Sequence, residues 1–276
     1  MVDIRQTIQY ANYLSKIGWT VERTAEINYF IKKLPLIGSV IKIQRPEEIR
    51  INKIKELAKK YHTFQVIVEP KTELDAKYFA SVGFRLSKNP YLPSKTLHLD
   101  LTKTKEETFR GLKKDCKYAL KKNGGLRIIN YGTEDIDKFR DVWKKAVGLK
   151  RYVAPLTHLK ALKKSFKKNC LFLTAGLPRR DETKAGAIFL LGDKIGYYWQ
   201  AFSNKEARRL QAQYKIVWEG ILWAKKRGAK IFDFEGIYDE RFPDKSWLGF
   251  THFKKSFGGH EVEYPGAMLK SKFPKR

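Results

Sequence analysis

The residues with the most pointed chemistry lie near the end of the chain. Asp233-Phe-Glu-Gly-Ile237 brings two carboxylates from a strand end into a loop, and Phe253-Lys-Lys-Ser-Phe-Gly-Gly259 follows. A lysine held beside aromatic rings can stabilise a developing oxyanion or contact an RNA phosphate. Gly258 and Gly259 permit a tight backbone path with positive φ. The same stretch also reads as a turn bearing a surface lysine, and spacing does not separate the two. Tyr197-Tyr198-Trp199 is a second group. Rings alternate along a strand, so part of this run faces the core and part can stack on a sugar, peptide or base. A third group is basic: Lys113, Lys114, Lys117, Lys121 and Lys122 fall within ten residues, interleaved with Tyr118 and Leu120. Further pairs follow, among them Lys144-Lys145, Lys150-Arg151, Arg179-Arg180 and Arg208-Arg209. Together they read as a surface for a phosphate backbone, although each pair alone fits a solvated helix face.

Other chemistries lack their residues. The five histidines form no HExxH, and there is neither a GxSxG elbow nor a GxxxxGK[ST] phosphate loop. Two cysteines, Cys116 and Cys170, make neither a disulfide framework nor a cysteine-based zinc site. With no metal and no nucleophilic triad expected, catalysis would rest on positioning and electrostatics. Lys and Arg number 57 against 29 Asp and Glu, a formal charge of +28. Such an excess repels itself unless it meets phosphates or an anionic surface. Apolar runs are far shorter than the ~20 residues of a membrane span, and the N-terminal stretch has no apolar signal core. The expected setting is the reducing cytoplasm.

The elements that must position these groups alternate between strands and helices. Strands are expected at 40–43 and 64–69, around a helix at 46–61 with apolar residues at helical spacing. A helix at 105–123 opens on Thr104-x-x-Glu107 and stops at Asn123-Gly-Gly125. A strand at 126–130 and helices at 133–147 and 156–168 follow. Strands at 171–175, 185–191 and 195–201 come next, the last two joined by Gly192-Asp193. A long helix at 205–227, a strand at 230–234 and a late strand at 261–264 close the list. The pattern is α/β with mixed sheets. The segment from Ala58 to Glu69 aligns without gaps on the segment from Ala224 to Glu235, which suggests an internal duplication: two similar domains with a cleft between them.

At these residues the chain resembles the Fem aminoacyltransferases. The strings that carry the resemblance are Pro93-Ser-Lys-Thr-Leu-His-Leu-Asp-Leu101, Lys117-Tyr-Ala-Leu-Lys-Lys-Asn123, Leu171-Phe-Leu-Thr-Ala175, Ile231-Phe-Asp-Phe-Glu-Gly-Ile237 and Phe253-Lys-Lys-Ser-Phe-Gly-Gly259. Their order and spacing are more specific than any one of them. The resemblance implies two tandem GNAT-like domains without a coiled-coil arm. The first, 1–103, would bind the precursor and be completed by 260–276; the second, 104–259, would bind the aminoacyl-tRNA end. It implies transfer of an amino acid from aminoacyl-tRNA to the stem-peptide amine of lipid II or UDP-MurNAc-pentapeptide. No cofactor is implied. A monomer at the inner face of the plasma membrane is expected. By the same resemblance Phe253 and Lys254 are catalytic. Trp19, Arg23, Lys117, Tyr118, Arg151, Tyr197 and Trp199 would bind substrate, and Lys113, Lys114, Lys121, Lys122, Arg208 and Arg209 the tRNA. Three positions depart from the family: Lys117 replaces an arginine, Ala154 falls where a phosphate-binding arginine is expected, and Glu235 replaces a glycine.

Two other readings compete. An acyl-CoA N-acyltransferase would share the fold, but the Ser203 to Gln213 loop has no glycine where the backbone should cradle a pyrophosphate. A non-catalytic RNA-binding protein would account for the charge and leave Phe253-Lys254 unused.

Overall fold

The computed structural model describes residues 1–177 and 180–271. Arg179 and residues 272–276, the end of the expected closing segment, lie outside the described residues, as do the side chains of 124, 150, 177 and 180–183. The chain divides into two compact units. One comprises Met1–Lys95, Tyr238–Lys245 and the chain from Val262; the other comprises Thr96–Ile237 and Ser246–Glu261.

The first unit begins with α1 (Ile8–Lys16), capped by the Thr7 side chain. The strands β1 (Thr20–Thr24), β2 (Ile27–Leu34) and β3 (Gly38–Gln44) form an antiparallel meander. Helix α2 (Ile51–Lys60) then crosses to β4 (Thr63–Glu69), parallel to β3. Helix α3 (Glu73–Ser81), held by a Thr72–Asp75 capping box, and the short β5 (Arg85–Leu86) follow. The sheet is completed by the last strand of the chain, β13 (Met268–Ser271), in the order β1-β2-β3-β4-β13-β5. Ile54, Leu57 and Ala58 of α2 bury against Ile41, Ile43, Val66 and Val68, as the helical spacing predicts. The helix starts at Ile51, five residues after the expected Pro46. Arg50 still has φ −121 and ψ 76, outside the helical region.

The second unit starts with β6 (Lys95–Asp100), α4 (Lys105–Arg110), α5 (Lys114–Lys122) and β7 (Arg127–Asn130). Helices α6 (Ile136–Val147) and α7 (Leu156–Phe166) lead to strands β8 (Cys170–Leu177), β9 (Arg180–Gly192) and β10 (Ile195–Ser203). Next come α8 (Lys205–Arg209), α9 (Ala212–Lys226), β11 (Ile231–Asp233), α10 (Leu248–Lys255) and β12 (His260–Glu263). The strand order is β12-β6-β11-β10-β9-β8-β7, and β10 and β11 are parallel. Both sheets are mixed, so the α/β expectation holds. Both also place an antiparallel meander, a helix, a parallel strand and then an antiparallel neighbour in the same order, β13 beside β4 and β6 beside β11. The longest described helix, α9, has 15 residues, so no coiled-coil arm is present among the described residues. No described helix is long and apolar enough to cross a membrane.

Two expected helices are each broken in two. The 105–123 helix stops at Gly111, and Lys113 takes an extended conformation with its N–H donating to the Ser256 carbonyl. The 205–227 helix breaks at Gln211, which sits at φ +55 and whose carbonyl accepts from the Asn123 amide. In both cases a tertiary hydrogen bond outweighs continuous helical propensity. Within the core, α9 lies so close to β9 that a Cβ on Gly220 would stand 2.2 Å from the Phe189 ring. Overpacking should dominate the helical gain of a methyl. Gly220→Ala is expected to lower unfolding free energy by about 1–3 kcal/mol in urea titration. An unchanged midpoint would show that α9 can shift to admit it.

Candidate active site

The site is built where β11 ends. Asp233 is its last residue, and its antiparallel partner on β6 is His98. Beyond it the chain turns sharply through Glu235 (φ +54) and Gly236 (φ +110). A glutamate in the left-handed region is uncommon, so something must hold the turn there. That something is the Asp233 carboxylate. One oxygen accepts from Thr96 Oγ1 at 2.5 Å and from the Glu235 N–H at 2.7 Å. The other meets His98 Nε2 at 3.2 Å. Thr96 Oγ1 in turn accepts from the Gly236 N–H at 3.1 Å. Burial alone would push the Asp233 carboxyl up. The His98 ring, the Thr96 hydroxyl and the Glu235 amide instead hold it well below the usual carboxylate range.

The Gly236 carbonyl, fixed by this turn, accepts a hydrogen bond from Lys254 Nζ. Lys254 lies on α10, 8% exposed, with Nζ 5.8 Å from the centroid of the Tyr198 ring. Burial lowers its pKa to about 8, opposed in part by Glu235 and Asp233. The ammonium form therefore predominates at pH 7. It has three donors, of which Gly236 takes one. Phe253 stands edge-on to Tyr214 at 4.8 Å and to Phe257 at 5.4 Å, which closes the apolar side around α10. Tyr198, fully inside, has its phenol pushed up by burial; its hydroxyl accepts from Gln213 Nε2 at 2.7 Å. Cys116 is buried nearby, against Ser256. Burial pushes its thiol up to about 12, so it is no nucleophile at neutral pH.

The other sequence-derived residues are distributed as follows. Tyr197 is buried on β10 beside Asp233 of β11, and Trp199 occupies the bulge between Tyr198 and Gln200, half-buried. Tyr118 is exposed on α5, with Lys122 Nζ 5.8 Å from its ring centroid. Lys113, Lys114, Lys121 and Lys122 are exposed on the same helix and its cap, while Lys117 donates to the Arg110 carbonyl. The Lys113 N–H bond to Ser256 brings the start of this helix to the end of α10. Arg151 lies over Phe250, also on α10, at 5.9 Å. Ala154 is buried, its carbonyl accepting from Arg140 Nε. Arg208 donates to the Ser203 carbonyl and Arg209 pairs with Glu206. Trp19 and Arg23 belong to the first unit. The Trp19 ring has Lys32 and Lys42 each 5.6 Å from its centroid, and Arg23 donates to the Gln6 carbonyl and to Asn28 Oδ1. The sequence marks Asp233 as a carboxylate at a strand end but assigns no role to Thr96 or His98. The available signal was an aspartate between two phenylalanines in an apolar strand.

Residues 179–272 match the model of the FemAB family. No curated protein matches the chain. Among solved structures, the crystal structure of FemX aligns with 98% of this chain and 92% of its own, with a TM-score of 0.79 at 15% identity. The C-terminal domain (DUF2156) of a putative lysylphosphatidylglycerol synthetase from Agrobacterium fabrum covers 98% of this chain and 89% of its own, with a TM-score of 0.64 at 12% identity. A tandem GNAT protein from the clavulanic acid biosynthesis pathway covers 97% and 96%, with a TM-score of 0.55 at 10% identity. The chain is thus similar to the FemAB family in sequence over residues 179–272 and to FemX in fold along nearly its whole length.

Proposed function

We propose that the protein is an aminoacyltransferase that moves an amino acid from aminoacyl-tRNA to the stem-peptide amine of a peptidoglycan precursor, either UDP-MurNAc-pentapeptide or lipid II. The observation that carries this reading is Lys254: a desolvated ammonium, held by a strained turn, with donors to spare. The tRNA ester is already activated. The acceptor nitrogen attacks its carbonyl carbon, the bond to the ribose oxygen breaks, and the departing hydroxyl takes up the proton the amine gives up. The enzyme has to orient the amine and stabilise the tetrahedral oxyanion. Lys254 supplies the charge, and Phe253, packed on Tyr214 and Phe257, anchors the helix that carries it. Lys113, Lys114, Lys121 and Lys122 on one helix surface give the tRNA backbone a cationic track, extended by Arg208 and Arg209. Lys117, Tyr118, Arg151, Tyr197 and Trp199 are assigned to the substrates, as are Trp19 and Arg23 in the precursor-binding unit. We assign the protein to the inner face of the plasma membrane as a monomer, without a cofactor.

The tandem GNAT fold also fits an acyl-CoA N-acyltransferase. Against it, the segment before α9 offers side chains, not glycines, where a pyrophosphate would need close approach to backbone N–H groups. A transfer assay with radiolabelled aminoacyl-tRNAs, both acceptors and a parallel acetyl-CoA arm separates the readings. Label should leave the tRNA and appear on one acceptor. Acetyl transfer without tRNA turnover would replace this reading with the second.

A further inference from the structure

Two segments of the second unit expose large apolar side chains where solvent would favour polar ones. After α6 the chain turns at Gly148 (φ +59), and Leu149 stands out completely, at 106% relative exposure, with Tyr152 at 74%. At the start of α10, Leu248 and Phe250 are 49% and 46% exposed. The Arg151 guanidinium, 5.9 Å from the Phe250 ring, joins the segments into one patch. Segments 142–153 and 246–255 contain no aspartate or glutamate; the exposed Asp141 and Asp244 stand just before them, outnumbered by the lysines and arginine of the two segments. The carboxylates that reach the second segment, Asp115 and Glu261, are already paired with His252 and Lys255. Exposed cations around the apolar tips include Lys144, Lys145 and Arg151.

We propose that Leu149, Tyr152, Leu248 and Phe250 insert into the interfacial zone of an anionic lipid bilayer, with Lys144 and Lys145 contacting its head groups. The composition chooses the partner. Aliphatic tips gain by entering the acyl boundary, a ring pair suits the interface, and a rim with more cations than acids suits a negative leaflet. An RNA surface would use the cations and rings but offers nothing to Leu149 and Leu248, which do not stack on bases. Leu248 is six residues from Lys254 on the same helix, about 9 Å along its axis. Insertion of that first turn would therefore hold the candidate active site close to the membrane surface. The proposal does not depend on the transferase reading, because it is tested without any substrate.

The test is co-sedimentation of the full chain with sucrose-loaded vesicles, of phosphatidylcholine alone or with about one third phosphatidylglycerol, at physiological salt. Wild type should bind the anionic vesicles. The double variant Leu149→Ser/Phe250→Ser should bind them about tenfold or more weakly, since it loses two inserted side chains. Its melting temperature should stay unchanged, because both positions are solvent-facing, and so should its affinity for bulk tRNA by filter binding. Equal vesicle binding by variant and wild type would overturn the proposal, since general charge would then suffice. So would a variant that keeps vesicle binding and loses tRNA, which would make the patch an RNA surface. No binding of wild type to anionic vesicles would overturn it outright.

Discussion

Lys254→Met is expected to abolish most turnover and at the same time to stabilise the protein. Removing a preorganised donor from a developing oxyanion typically costs ~10²–10³ in kcat. The same charge is a burden on the fold. Lys254 has a pKa of about 8 in the folded chain, below the 10.5 of a free lysine. Below pH 8 both folded and unfolded states carry the proton, and the desolvation penalty is fully present. Between pH 8 and 10.5 the unfolded state binds more protons, so stability rises with pH. Methionine removes the penalty and also leaves the Gly236 carbonyl without its donor. A net gain of about 1–2 kcal/mol near pH 7 is expected, fading by pH 10.5. Denaturant unfolding across that range, alongside single-turnover kinetics, checks both halves. A less stable variant at pH 7 would mean that Lys254 holds the fold together. Wild-type activity, if it needs the ammonium, should decline as pH rises through about 8.

Asp233 carries the second large effect, through the turn it holds. Asp233→Ala would leave the Thr96 hydroxyl, the Glu235 amide and the His98 ring without their acceptor, at a cost of about 3–5 kcal/mol. Because the wild-type carboxyl titrates below its unfolded value, this stabilisation is present above about pH 4 and lost as pH falls through the folded value. Asp233→Asn keeps the shape and one acceptor and should cost less. It also removes a negative charge that raises the Lys254 pKa. The alkaline limb of the activity profile should therefore move to lower pH in Asp233→Asn, with kcat reduced more than KM is raised. A purely structural role for Asp233 would change stability and leave that limb in place.

Much of the second unit was legible in the sequence because its signals are local. Leu171–Ala175, Ala185–Leu191 and the Gly192-Asp193 turn specify the β8-β9-β10 meander directly, and the gapless Ala58/Ala224 alignment anticipates the shared order of the two sheets. Phe253-Lys254 stood out through the Fem resemblance, because its spacing alone fits a turn with a surface lysine equally well. The helix breaks at Gly111–Lys113 and at Gln211 were not legible: they depend on partners at Ser256 and Asn123, distant in sequence. Strands β1 and β2 were missed because charged residues such as Glu22, Arg23, Lys32 and Lys33 interrupt their apolar alternation. The role of Thr96 and His98 was hidden for a similar reason. Both are ordinary strand residues until β6 is laid antiparallel to β11, which brings them to Asp233 some 135 residues away.

The most direct test of the central claim is the transfer assay on wild type and Lys254→Ala side by side, with charged tRNA pools and with lipid II and UDP-MurNAc-pentapeptide as separate acceptors. Label should pass from tRNA to one acceptor with wild type and fall by ~10²–10³ with the variant, whose fold is intact by circular dichroism. Equal transfer by the two proteins would remove Lys254 from the chemistry, and no transfer from any tRNA by wild type would contradict the aminoacyltransferase reading itself.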